Sequence, residues 1–156
     1  MESVTLKPAA GEDLRTLWKM QVRAFSDLLE TYRDYETSPA AEPFEKVMAR
    51  FEQPWTVYYF IQAGGQAVGG IRIVDRKDGS RKRISPLWIM PEHRGKGYAQ
   101  AAIRAAEQIH GSAHWGLDTV AQEAGNLHLY EKMGYRQTGE AKKINERMDL
   151  VFYEKD

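Results

Sequence analysis

The chain of 156 residues contains no cysteine. That excludes disulfides, a thiol nucleophile and thiolate-bound metal, and suits a reducing compartment, so a cytoplasmic protein is expected. It has no excess of either charge: 22 Lys and Arg balance 22 Asp and Glu. Zero net charge argues against a dedicated nucleic-acid binder and against a membrane-surface protein. No apolar stretch is long enough to span a bilayer, and Met1 to Lys7 lacks the basic-then-apolar order of a signal peptide. The histidines form no H-E-x-x-H pair, and His93, His110 and His114 have no ligand spacing, so no metal is expected. There is no internal repeat and no low-complexity tract, and the length suits one domain over residues 1–156.

What is present is a clear alternation of elements. Val4 to Lys7 reads as a strand. Leu14, Leu17, Trp18, Val22, Phe25, Leu28 and Leu29 form a helical stripe over Asp13 to Tyr32. Phe44, Val47, Met48 and Phe51 repeat at helical spacing, and Pro54 ends that helix. Trp55 to Gln62 is rich in strand formers, and Gly64-Gly65 predicts a hairpin into Ala67 to Val74. Asp78-Gly79 predicts a second hairpin, returning through Arg83 to Met90. Then follow a helix over Gln100 to His110, with Ala102, Ile103, Ala106 and Ile109 facing inward, and a strand over His114 to Val120. A short helix over Asn126 to Met133 is closed by Gly134, and Tyr135 to Thr138 and Met148 to Tyr153 are the last strands. Hairpins followed by one strand–helix–strand crossover predict a mixed α/β sheet, mostly antiparallel, with one parallel pair.

The parallel pair flanks the run Pro91-Glu92-His93-Arg94-Gly95-Lys96-Gly97-Tyr98-Ala99. A strand, a glycine turn and a helix start in that order favour an anion: the backbone can approach closely, and the first helical turn leaves N–H groups free. Neither G-x-x-x-x-G-K-[ST] nor G-x-G-x-x-G is present. Arg94-x-x-Gly97-x-Ala99, however, matches the pyrophosphate motif R/Q-x-x-G-x-G/A of the GNAT superfamily of acyl-CoA-dependent N-acetyltransferases, and the sequence resembles that family. Asn126-Leu-His-Leu-Tyr130-Glu-Lys-Met-Gly134-Tyr135 resembles a second segment of the same family, departing from it at His128, where an aliphatic or small residue is common.

The resemblance implies that the parallel strands, Leu87–Met90 and Trp115–Thr119, splay into a slot for acetyl-CoA, with helices on both sheet faces. It implies that backbone at Trp88, Ile89 and Met90 meets the pantetheine arm. N–H groups of Gly95, Lys96, Gly97, Tyr98, Ala99 and Gln100 would take the pyrophosphate, and the charges of Arg94 and Lys96 would support it or the 3′-phosphate. It places Tyr130 as the acid that protonates the departing thiolate, and Asn126 against the cofactor arm or an ordered water. The two are i, i+4 on one helix, and a phenol with a pKa of about 10 carries its proton at neutral pH. For the base, Asp34, Glu36, Glu92, His93, Asp118 and His128 all qualify by type, as does a water chain. The acceptor site is expected at Tyr32, Asp34, Tyr35, Glu36 and Tyr153, where aromatics with carboxylates suit a cationic amine. The expected reaction is direct attack of a primary amine on acetyl-CoA. The other reading is a domain that holds or senses acyl-CoA without turnover. Homodimers are usual in the superfamily. The basic cluster Arg76, Lys77, Arg81, Lys82 and Arg83 reads as a solvated hairpin tip rather than a nucleic-acid patch.

Overall fold

Both faces of the run Val57-Tyr58-Tyr59-Phe60-Ile61 are covered, and the strand that carries it lies inside the sheet. Tyr58 and Phe60 enter one core, and Tyr59 and Ile61 enter the other, as period-two alternation requires. The computed structural model describes residues 3–156. Its strands are β1 (Val4–Pro8), β2 (Thr56–Ala63), β3 (Gln66–Val74), β4 (Lys82–Ile89), β5 (Trp115–Val120), β6 (Arg136–Lys143) and β7 (Asp149–Lys155). They form one seven-stranded sheet in the order β1-β2-β3-β4-β5-β7-β6. Every neighbouring pair is antiparallel except β4 and β5. The mixed α/β sheet with one parallel pair is thus the fold that the element order predicted.

The helices are α1 (Leu14–Tyr32), α2 (Phe44–Phe51), α3 (Tyr98–His110) and α4 (Ala124–Lys132). Leu14, Leu17 and Ala24 of α1 and Val47 of α2 pack on Tyr58, Phe60, Trp88 and Met90. On the opposite face, Tyr98, Ala102, Ile103 and Ala106 of α3 and Tyr130 of α4 pack on Tyr59, Ile61, Ile71 and Leu117. Helices therefore cover both faces of the sheet, and their amphipathic stripes account for where they sit.

Three details differ from the sequence pattern. Ile109 is 54% exposed rather than inward-facing. His110 turns in instead, with Nε2 2.8 Å from the Tyr59 hydroxyl and Nδ1 2.9 Å from Asp75 Oδ2. The helix α4 begins at Ala124, two residues before the expected start at Asn126. The last two strands run longer than their apolar residues, because β6 is an edge strand with every residue exposed and carries no inward stripe to read.

Candidate functional site

The site arises where the parallel strands part. β4 and β5 pair only at Lys82 with Trp115 and at Arg83 with Gly116. Ser85 and Pro86 then oppose the single residue Arg72 of β3 as a bulge, and Arg72 Nε donates to the Ser85 carbonyl. From Ile84 onward β4 has no strand partner on its β5 side. Two cavities open at this gap, one of ≈ 440 Å³ and one of ≈ 350 Å³. Phe25, Leu28, Leu87, Asn126 and Tyr130 line both.

The first cavity is walled by the glycine turn. Gly95 and Gly97 have φ of 79° and 81°, a region that costs a side-chain-bearing residue roughly 1–2 kcal/mol. The first bond of α3 runs from Ala101 N to Gly97 O at 3.1 Å, so the N–H groups of Tyr98, Ala99 and Gln100 precede the helical ladder. Gly97 is the N-cap and supplies no side-chain acceptor. Gly95, Gly97, Tyr98, Ala99 and Gln100 all line this cavity, which gives an anion a backbone cradle at the positive end of a helix. Trp88 forms the floor, 3% exposed, with its ring edge-on to Phe25 at 6.3 Å. Its place depends on Gly70 across the sheet, where a Cβ would come within 2.2 Å of the indole.

The shared wall holds the groups with chemistry. Asn126 Nδ2 donates to Thr119 Oγ1 at 3.3 Å. The Tyr130 ring lies 6.0 Å from Tyr135 and 6.2 Å from Tyr153, and its hydroxyl makes no hydrogen bond to another described residue. Burial, reinforced by the nearby charge of Asp118, holds the Tyr130 phenol well above its ordinary range, so it is protonated at neutral pH. Above the gap, the Tyr32 hydroxyl donates to Glu123, joining the end of α1 to the start of α4. That bond first, then burial and the Glu123 charge, push the Tyr32 phenol up to about 12. The segment between β6 and β7 holds this end of α1: Asn145 Nδ2 donates to Tyr32 O at 2.9 Å, and Arg147 Nη1 to Thr31 O at 3.1 Å.

The second cavity has mostly apolar walls and contains Asp34 and Asp118. Burial raises the Asp118 carboxyl above the usual carboxylate range, partly offset by Arg83 and Lys142.

Most residues expected on the glycine turn line the first cavity. Lys96 and Met90 do not. The Met90 side chain belongs to the core beneath α1, and its N–H donates to Val68 O at 2.8 Å. Arg94 lines the cavity but is also a tie, donating Nε to Ile89 O and Nη2 to Ala24 O, both at 2.9 Å. It thereby engages the Ile89 carbonyl. Of the expected acceptor residues, Tyr32 and Asp34 line the second cavity. Tyr35 is 67% exposed and Glu36 is exposed, both outside either cavity, because the turn after α1 points them outward. Tyr153 is fully buried on the α3–α4 face, donating to Glu131 Oε2 at 2.7 Å and accepting from Gln137, because alternation along β7 points it away from the gap.

Among the candidate bases, Glu92 is paired with Arg23 at 2.8 Å outside both cavities, and His128 is exposed. His93 lines the first cavity, with Nε2 3.1 Å from Gln66. The sequence reading missed Glu123, Thr119, Met148 and Leu150. Phe25 and Leu28 read as core stripe; Phe25 does pack on the core beneath α1, and both also wall the cavities. Among the described residues no group of three or more His, Asp or Glu could hold a metal, and no helix is long and apolar enough to cross a membrane.

Comparison with known proteins agrees with this geometry. The model of the Acetyltransferase (GNAT) family matches residues 21–135, from the middle of α1 to the end of the shared wall. N-acetyltransferase 8 of Rattus norvegicus is 32% identical over 91 residues, covering 54% of this chain and 41% of the rat protein. The chain thus matches about two fifths of that relative's length. Among solved structures, spermidine N-acetyltransferase from Vibrio cholerae, in complex with CoA and spermine, superposes with a TM-score of 0.76 at 19% identity, covering 97% of this chain and 94% of that one. PaiA N-acetyltransferase from Thermoplasma acidophilum, in complex with coenzyme A, gives 0.69 at 15% identity, covering 99% of each. At these identities the structural likeness is one of fold.

Proposed function

We propose, from the premise that the chain belongs to the Acetyltransferase (GNAT) family, that it moves an acetyl group from acetyl-CoA to a primary amine by direct attack. The observation that carries this reading is the pair of cavities meeting at Asn126 and Tyr130 where β4 and β5 part. The first cavity fits the donor. Its turn offers unladdered N–H groups to a pyrophosphate, and the unpaired edge of β4 offers backbone to the pantetheine arm. Acetyl-CoA supplies the activated acyl group. The chain's own residues orient it, shield it and manage protons.

Backbone N–H groups on the free stretch of β4 are the donors at hand for the developing oxyanion. Tyr130 is placed for the leaving sulfur. A phenol held this far above its ordinary pKa is a poor source of a free proton, so Tyr130 acts as a relay. It passes its proton to sulfur as it receives one from the amine nitrogen, and no phenolate accumulates. Asn126, fixed by Thr119, keeps this wall in register.

The test is free-thiol release from acetyl-CoA across a panel of primary amines, with acetyl-CoA affinity measured by calorimetry. Amine-dependent thiol release is the expected result. Tight acetyl-CoA binding with no release for any amine would replace this reading with that of a domain that holds the thioester without turnover.

A further inference from the structure

The second cavity takes its character from what lines it. Phe25, Leu28, Leu87, Val120, Met148 and Leu150 give it an apolar wall, and Thr37, Ser38, Ser85, Thr119 and Asn126 line the rest beside its charged groups. Its charged side chains are two carboxylates, and no Lys, Arg or His lines it among the described residues. Asp34 is occupied: Oδ1 accepts from the N–H groups of Glu36 at 3.1 Å and Thr37 at 2.9 Å, and Oδ2 accepts from the Thr37 hydroxyl. It shapes the turn after α1. Asp118 differs. Its Oδ2 accepts from Arg83 Nη2 at 3.0 Å, while Oδ1 has no partner among the described residues. Asp118 also lines the cavity together with Tyr130, whose phenol senses its charge.

We infer that Asp118 receives the amino group of a small monoamine with an apolar body and no carboxylate, and that it takes the proton this amine must lose before attack. The inference rests on the acetyl-transfer reading above and names the acceptor that reading leaves open. An ammonium satisfies Oδ1, and an apolar body matches the walls. A carboxylate on the acceptor would find no cation in the lining and two like charges. A polyamine would bring further cations to a lining whose other carboxylate, Asp34, already accepts from Glu36 and Thr37.

The protons and bonds balance. The ammonium gives one proton to Asp118 and becomes a neutral amine. Its lone pair forms the C–N bond, the C–S bond breaks with its electrons going to sulfur, and the second amine proton reaches sulfur through Tyr130. Asp118 then returns its proton to solvent. The charged or titratable groups that act on Asp118 are Arg83 from β4, Lys142 from β6 and Tyr130 from α4.

The experiment compares phenethylamine, phenylalanine, spermidine and a lysine-containing peptide by kcat/KM as a function of pH. It uses the wild-type chain, Asp118→Asn and Arg83→Gln. Phenethylamine is expected to exceed each of the others by about tenfold or more. With Asp118 as base, kcat/KM for phenethylamine is flat from the Asp118 pKa up to that of the amine, since ammonium with carboxylate already holds the right number of protons. In Asp118→Asn the plateau becomes a rise of about one log unit per pH unit, and kcat/KM at pH 7 falls about 100-fold with acetyl-CoA affinity unchanged. In Arg83→Gln the loss of a neighbouring cation raises the Asp118 pKa and moves the acid limb to higher pH. Equal or better use of phenylalanine, spermidine or the peptide overturns the acceptor class. A persistent plateau in Asp118→Asn, or an unmoved limb in Arg83→Gln, overturns the role of Asp118. Absence of thiol release with every amine in the wild-type chain removes the acetyl-transfer reading itself, and this inference with it.

Discussion

The two cavities share a wall and differ in almost everything else. The first joins the glycine turn, with His93 and Arg94, to residues of α1 and α4, and Asp27 and Glu123 also line it. The second is assembled from the end of α1, the loop after it, β4, β5, α4 and β7, and its charges are Asp34 and Asp118 alone. Both open because two parallel strands diverge after two paired residues each. Tyr130 and Asn126 sit at the border, so one phenol can serve chemistry fed from both sides.

The border is the most sensitive place to break this division. Tyr130→Phe should lower kcat about 100-fold while leaving acetyl-CoA affinity within about twofold, as steady-state rates and calorimetry will read. Unchanged turnover would remove Tyr130 from the chemistry. On the donor side alone, Gly97→Asp adds backbone strain and a like charge. It should weaken acetyl-CoA binding by about 30-fold, since roughly 2 kcal/mol corresponds to that factor. Intact affinity would mean that the turn does not hold the donor.

The bond from Tyr32 to Glu123 spans the mouth between the two sides. Tyr32→Phe should raise the acceptor KM about tenfold with a smaller effect on acetyl-CoA, because a hydrogen bond to a charged group contributes about 1.5–3 kcal/mol. It should also flatten the alkaline fall in stability. The Tyr32 phenol is raised to about 12 in the folded chain, so its stabilisation is complete below about pH 10 and is lost as pH rises towards 12. Denaturant titrations at pH 9 and 11 check this. At the small end, Tyr35→Ala should change kcat/KM for the best amine by less than about twofold, since an exposed side chain away from both cavities contributes little. A larger loss would place Tyr35 back at the acceptor.

The fold was legible wherever a pattern repeats locally. The β2 alternation, the Gly64-Gly65 turn and the stripes of α2 and α3 come from periodicities that neighbouring residues impose on one another. β6 was half-hidden because an exposed edge strand leaves no such imprint. Phe25 and Leu28 show the limit of reading an apolar stripe: the same spacing serves a core and a cavity wall, and only the missing partner across the gap distinguishes them. Tyr153 shows the converse. Its residue type suited an acceptor site, and the pleat of β7 turned it away.

The sequence by itself determined the glycine turn. Residues 91–100 are contiguous, and their glycine conformations and helix start are properties of a short stretch of backbone. Only the tertiary structure decided the second cavity. Arg83 meets Asp118 across 35 positions and Tyr32 meets Glu123 across 91, so no local spacing announces either pair. Packing two helices and a splayed sheet around one gap brings these groups together. The same packing desolvates Asp118 and Tyr130 and raises the pKa values of both.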